Sequence, residues 1–158
     1  MVSWAIWEDH NALLNSGKAK EPKMVVDWVI GVTIRDDKGK VLVARSNLLC
    51  GSFSAEIGQF LALREGLTVT KFYNLRIQVA EVVSSKVISS LYSSFSILGD
   101  ASFIINDVKD LLSKVGSYKC QSVSKFGNVL AQNLASLAFS ARERFRLDPS
   151  LSCCSFSL

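Results

Sequence analysis

The sequence predicts one α/β domain, a five-stranded mixed sheet with helices packed against it in the order β-β-β-α-β-α-α-β-α. Three observations carry this. Two β-branched runs are joined by a short glycine-containing loop. Three later segments repeat apolar residues at helical spacing, two of them behind capping residues. A chain of 158 residues with 49% hydrophobic content is long enough to bury one core.

The first strand is expected near Trp4 to Glu8, where it would start an antiparallel meander. Asp27 to Asp36 and Lys40 to Arg45 form the β-branched pair, and Asp36-Asp37-Lys38-Gly39 turns between them, with Gly39 free to take positive φ. Ser54 caps a helix reaching about Lys71, with Ile57, Phe60, Leu61, Leu63 and Leu67 as its apolar stripe. A strand is predicted at Leu75 to Val79 and a short helix at Ser84 to Tyr92. A longer helix spans Asp100 to Val115, with Ile104, Val108, Leu111, Leu112 and Val115 on one face and Gly116 closing it. Tyr118 to Val123 reads as the last strand. Asn128 then caps a final helix running to about Arg144, in which Leu130, Leu134, Leu137 and Ala138 recur at helical spacing. The domain is expected over residues 1–146, followed by a tail over residues 147–158 that has no periodicity.

Composition narrows the function classes. The longest apolar run, Met24 to Ile34, is broken by Asp27 and is too short to cross a bilayer as a helix, so no membrane association is expected. Trp4, Trp7, Glu8 and Asp9 stand where a secretory signal would need a basic start and an apolar stretch. Cys50, Cys120, Cys153 and Cys154 lack metal-type spacing, and reduced thiols in a cytoplasmic or nuclear monomer are the expectation. The net charge of +4 favours a polyanion without identifying one. His10 is the sole histidine, which leaves Ser-His-Asp or Cys-His catalysis with one candidate base. No phosphate-cradling glycine loop opens a predicted helix.

More specific are the local motifs. Gly31-Val32-Thr33-Ile34-Arg35-Asp36 and Gly39-Lys40-Val41-Leu42 are followed by Ser54-Ala55-Glu56, which opens the helix bearing Ala62-Leu63-Arg64-Glu65-Gly66-Leu67. Further on stand Asn128, Ala131, Leu134 and Ala135. Together these resemble the plant-type ribonuclease-H-like domain, also found beside retroelement reverse transcriptases. The resemblance covers nearly the whole chain and implies the ribonuclease H fold.

It also implies a chemistry: cleavage of the RNA strand of RNA/DNA hybrids by two divalent cations, Mg2+ or Mn2+, held by about four converging carboxylates. Glu56 matches the helix-borne metal ligand. The alternative is a glutamate that favours the positive end of the helix dipole. The acid expected on the first strand aligns with Asn11 in the register Asn11-Ala12-Leu13, and Asp9, two residues earlier, is the candidate substitute. Asp27 reads as a turn or solvated residue, and His10 as a surface one. The family's Glu-Ser-Asp-Ser segment stands here as Glu81-Val82-Val83-Ser84, so Val83 replaces an aspartate. Glu81 is either a partial substitute ligand or a solvent-facing carboxylate. Gln132 replaces the aspartate of the final helix, and Ser122 stands where related domains often carry a histidine.

Three functions follow as expectations. The first is a ribonuclease-H-like domain that binds RNA/DNA hybrid or RNA with its acidic site degenerate and no cofactor. Ser84, Lys86, Lys125 and Asn128 would touch the phosphate backbone. The second is an active Mg2+- or Mn2+-dependent hybrid endonuclease with Glu56, Glu81 and Asp9 gathered as the catalytic set. The third is a non-catalytic interaction or relic module without nucleic-acid affinity.

Overall fold

Among the described residues, a mixed sheet of six strands organises the fold. The computed structural model describes residues 2–7, 28–49, 54–93, 100–116, 119–141 and 146–147. Strands β1 (Val2–Trp7), β2 (Trp28–Arg35) and β3 (Val41–Leu49) form an antiparallel meander, then helix α1 (Ala55–Phe72) returns the chain to β4 (Val79–Val82). Helices α2 (Ser85–Tyr92) and α3 (Asp100–Lys114) precede β5 (Lys119–Ser122). A 3-10 turn (Lys125–Asn128) leads into α4 (Val129–Ala141), and β6 (Arg146–Leu147) ends the described chain. The strand order is β5-β4-β1-β2-β3-β6. β4 runs parallel to both β1 and β5, and the remaining pairs are antiparallel.

Local chemistry sets the turns. Asp36 Oδ1 accepts from Lys38 N at 3.0 Å and Lys40 N at 2.8 Å, and Gly39 takes φ 82, so the predicted β2–β3 turn forms where expected. Ser54 accepts from Ile57 N at 3.2 Å as the cap of α1. At the other end Asn74 adopts φ 52, while Leu75 N reaches Thr70 O and Asn74 N reaches Lys71 O. These are the paired bonds of a Schellman stop, with asparagine in the position that glycine usually fills.

The larger core lies between the sheet and α1, α2 and α3. Val32, Ile34, Val43, Ala80, Val82 and Cys120 meet Phe60, Leu63 and Leu67 of α1, Val87 of α2 and Val108 of α3. Helix α4 covers the opposite face, where Val29 meets Ala135 and Ala138. Gly31 permits that approach, because a Cβ placed on it would lie 2.2 Å from the Ala131 carbonyl oxygen. At the β5 edge the Tyr92 hydroxyl accepts from Cys120 N at 3.1 Å and lies 3.4 Å from Cys120 O. Burial pushes the Cys120 thiol up to about 12.

Four expectations need correction. The predicted strand at Leu75 to Val79 does alternate, with Ile77 buried and Arg76 and Gln78 exposed, but ladder pairing begins only at Val79. Asn128 does not cap the last helix: Ser124 caps the 3-10 turn before it, accepting from Gly127 N, and Asn128 is already inside that turn. The stripe of α4 is alanine, not leucine. Ala131, Ala135 and Ala138 are buried whereas Leu130 and Leu137 are exposed, since a helix seated this close to β2 has room only for methyl groups. The sheet also gains β6, whose two residues pair with Ala44 and Arg45 of β3.

Candidate nucleic-acid interface

One end of the sheet gathers the segments that matter. β1 and β4 are parallel and finish on the same side, and β4 passes through Val83 and Ser84 directly into α2. Ser84 caps α2, its side chain accepting from Val87 N, while its own N–H donates to Gln59 Oε1 of α1 at 3.1 Å. That bond ties the β4–α2 junction to the first turns of α1. On the neighbouring strand Val123 N donates to Val82 O at 2.8 Å, and the 3-10 turn that follows packs against β1.

Glu56 lies in the first turn of α1 and is partly buried, its Oε1 accepting from the Ser90 hydroxyl of α2 at 3.1 Å. A carboxylate here also meets the positive end of the helix dipole. Glu81 is elsewhere. It points to the sheet face opposite α1, where Gln121 Nε2 donates to its Oε1 at 3.2 Å and Arg35 lies 3.8 Å from its Oε2. It is 7% exposed, so the solvent-facing reading is corrected: Arg35 and Gln121 cover the carboxylate and supply its counter-charge and a hydrogen bond. The structure therefore does not bring Glu56 and Glu81 together. Asp9, His10, Asn11 and Asp27 lie outside the described residues.

The remaining positions are uncharged. Strand β1 reads Val-Ser-Trp-Ala-Ile-Trp and holds no acid. Val83 follows β4. Gln132, on the first turn of α4, donates from Nε2 to Lys125 O at 3.1 Å, so its amide closes the 3-10 turn. Two Mg2+ or Mn2+ ions need several oxygen ligands at one point, preferably charged. Among the described residues no group of three or more Asp, Glu, His or Cys side chains could hold a metal ion, so those residues do not fit the pair.

Of the expected phosphate contacts, Lys86 and Lys125 are exposed and Ser84 is half-buried at the helix cap. Asn128 is 2% exposed, which removes it from any surface a phosphate could touch. Arg35, Gln59 and Ser90 emerge only in the fold, because their partners are distant in sequence. Phe126, 90% exposed on the 3-10 turn, is absent from the sequence-based candidates; an aromatic standing in a polar connection was the signal that could have found it.

A profile described as reverse transcriptase-like matches residues 28–138. No curated protein matches the chain. Among solved structures, RNase H1 from the halophilic archaeon Halobacterium salinarum NRC-1 superposes with a TM-score of 0.64 at 15% identity, over 89% of this chain and 98% of that one. LC11-RNase H1 in complex with an RNA/DNA hybrid gives 0.63 at 16% identity, over 72% and 86%. The N-terminal RNase H domain of a Mycobacterium tuberculosis protein gives 0.61 at 16% identity, over 89% and 96%. At these identities the likeness establishes the ribonuclease H fold.

Proposed function

The chain belongs to the reverse-transcriptase-like family, and we propose that it is a nucleic-acid-binding domain of ribonuclease H type whose metal-dependent cleavage is impaired. The ligand is an RNA/DNA hybrid or RNA. Gln132 carries this reading: where the family resemblance expects a metal-binding carboxylate, its neutral amide is spent on the Lys125 carbonyl. Val83 in place of an aspartate supports it, and so does Asn11 where the resemblance expects the first acid. Hybrid as the ligand is supported by the fold shared with LC11-RNase H1, which was solved with one.

Binding in this reading is electrostatic. Lys86 and Lys125 meet phosphates, and the cap of α2 presents backbone N–H groups at the positive end of its dipole. Mg2+ or Mn2+ belongs to the active alternative alone.

The deciding experiment incubates a labelled RNA/DNA hybrid with Mg2+ or Mn2+ and measures cutting and binding together, with Glu56→Gln beside the natural chain. The expected result is no cutting and a binding constant that falls about tenfold between ~50 and ~200 mM salt, as two neutralised phosphates would give. Metal-dependent cutting abolished in Glu56→Gln would establish the active endonuclease instead. Absence of salt-sensitive binding would leave the relic module.

A further inference from the structure

Phe126 is an exposed aromatic side chain that the phosphate contacts above leave unexplained. Its ring is 90% exposed, and Leu130, one turn further along, is 44% exposed. Single exposed apolar residues are common, and Phe72 and Phe103 are exposed as well; what sets Phe126 apart is its backbone and its neighbours. The backbone beneath it is fixed from both sides. Ser124 accepts Gly127 N through its hydroxyl at 3.3 Å and through its carbonyl at 3.0 Å, while Gln132 holds the Lys125 carbonyl. A ring presented on a rigid turn loses little freedom when a partner covers it.

Its neighbours define that partner. Lys125 precedes it and is exposed, the turn packs against β1 at the same end of the sheet as Ser84 and Glu56, and the whole chain carries +4. A flat apolar face beside a cation matches a nucleobase beside its phosphate, in which the base stacks on the ring and the phosphate meets the ammonium. In a continuous duplex each base is already stacked on both sides, so the base that Phe126 takes is an unpaired one.

We propose that Phe126 and Lys125 form a stacking site for an unpaired nucleobase at the edge of the bound nucleic acid, an inference that rests on the nucleic-acid-binding reading above. The chain then favours a hybrid with a single-stranded overhang over a blunt one.

Fluorescence anisotropy with three labelled hybrids tests this: blunt, with a short single-stranded overhang, and with the same overhang built of abasic residues. The natural chain binds the base-bearing overhang roughly tenfold tighter than the other two, as one stacked base provides. Phe126→Ala removes that preference and Phe126→Trp keeps it, while both melt at the natural temperature because the ring is exposed. Equal affinity for all three hybrids, still salt-sensitive, overturns the stacking site and leaves the binding function standing. No salt-sensitive binding to any hybrid overturns both. Loss of self-association in Phe126→Ala, read by sedimentation with the overhang preference intact, assigns the ring to a contact between chains and overturns the proposal.

Discussion

Burial of the Glu81 carboxylate is tolerated because a hydrogen-bond donor and a counter-charge reach it. Gln121 contacts it from the adjacent strand, and Arg35 lies 3.8 Å away across β1. Desolvating a charge is costly unless it is paired and hydrogen-bonded, and removing one partner leaves the other stranded. Arg35→Met keeps the aliphatic stem and deletes the counter-charge. The long ion-pair distance and the 25% exposure of the Arg35 side chain keep the effect well below that of a fully buried pair. We expect a loss of about 1–2 kcal/mol, read from the urea midpoint. An unchanged midpoint would show that Gln121 and water suffice. Nothing at Glu81 itself revealed this role in the sequence. Its partners stand 40 residues ahead and 46 behind, and a lone glutamate at a strand end reads as solvated.

At the scale of the element, the seating of α4 on β2 is decided by one missing methyl group. Gly31→Ala would place Cβ against the Ala131 carbonyl, a backbone atom that moves only with its helix. The expected cost is about 2–3 kcal/mol, as for overpacking a filled core. Chemical denaturation checks it, and a change below ~0.5 kcal/mol would mean the helix slides freely. The same junction shows what was legible. The turn at Asp36 to Gly39 and the cap at Ser54 were, because their bonds close within four residues. Periodicity alone did not find the buried face of α4, although the resemblance pointed to an alanine-rich one: Leu130, Leu134 and Leu137 repeat as well as the alanines do, and Gly31 on a distant strand selects between them. The strand predicted from Leu75 failed for a related reason, since alternation reports burial and not ladder partners. In the candidate site, the place of Glu56 in the first turn of α1 was legible from the Ser54 cap, whereas the burial of Asn128 was not.

For the molecule as a whole, the buried thiol makes stability depend on alkaline pH. The folded chain holds the Cys120 proton up to about 12, whereas the unfolded thiol releases it near 9.0. Above that lower value the unfolded state gains by deprotonating, so stability is full below pH 9 and falls as pH rises toward 12. Cys120→Ala should lower stability at pH 8 through lost packing, yet show a shallower decline between pH 8 and 10.5. Parallel curves for the two proteins would exclude the thiol as the titrating group.

The Tyr92 hydroxyl at Cys120 bears on how copies of this chain can meet. A sheet grows by strand addition from any edge whose backbone groups still accept a neighbour. Tyr92 occupies the outward N–H of Cys120 in the four-residue strand β5, so addition there must first displace a phenol. On the far side, among the described residues, ladder pairing with β6 reaches Ala44 and Arg45 of the nine-residue β3. The β5 margin is therefore guarded against strand addition at Cys120 by a side chain from α2.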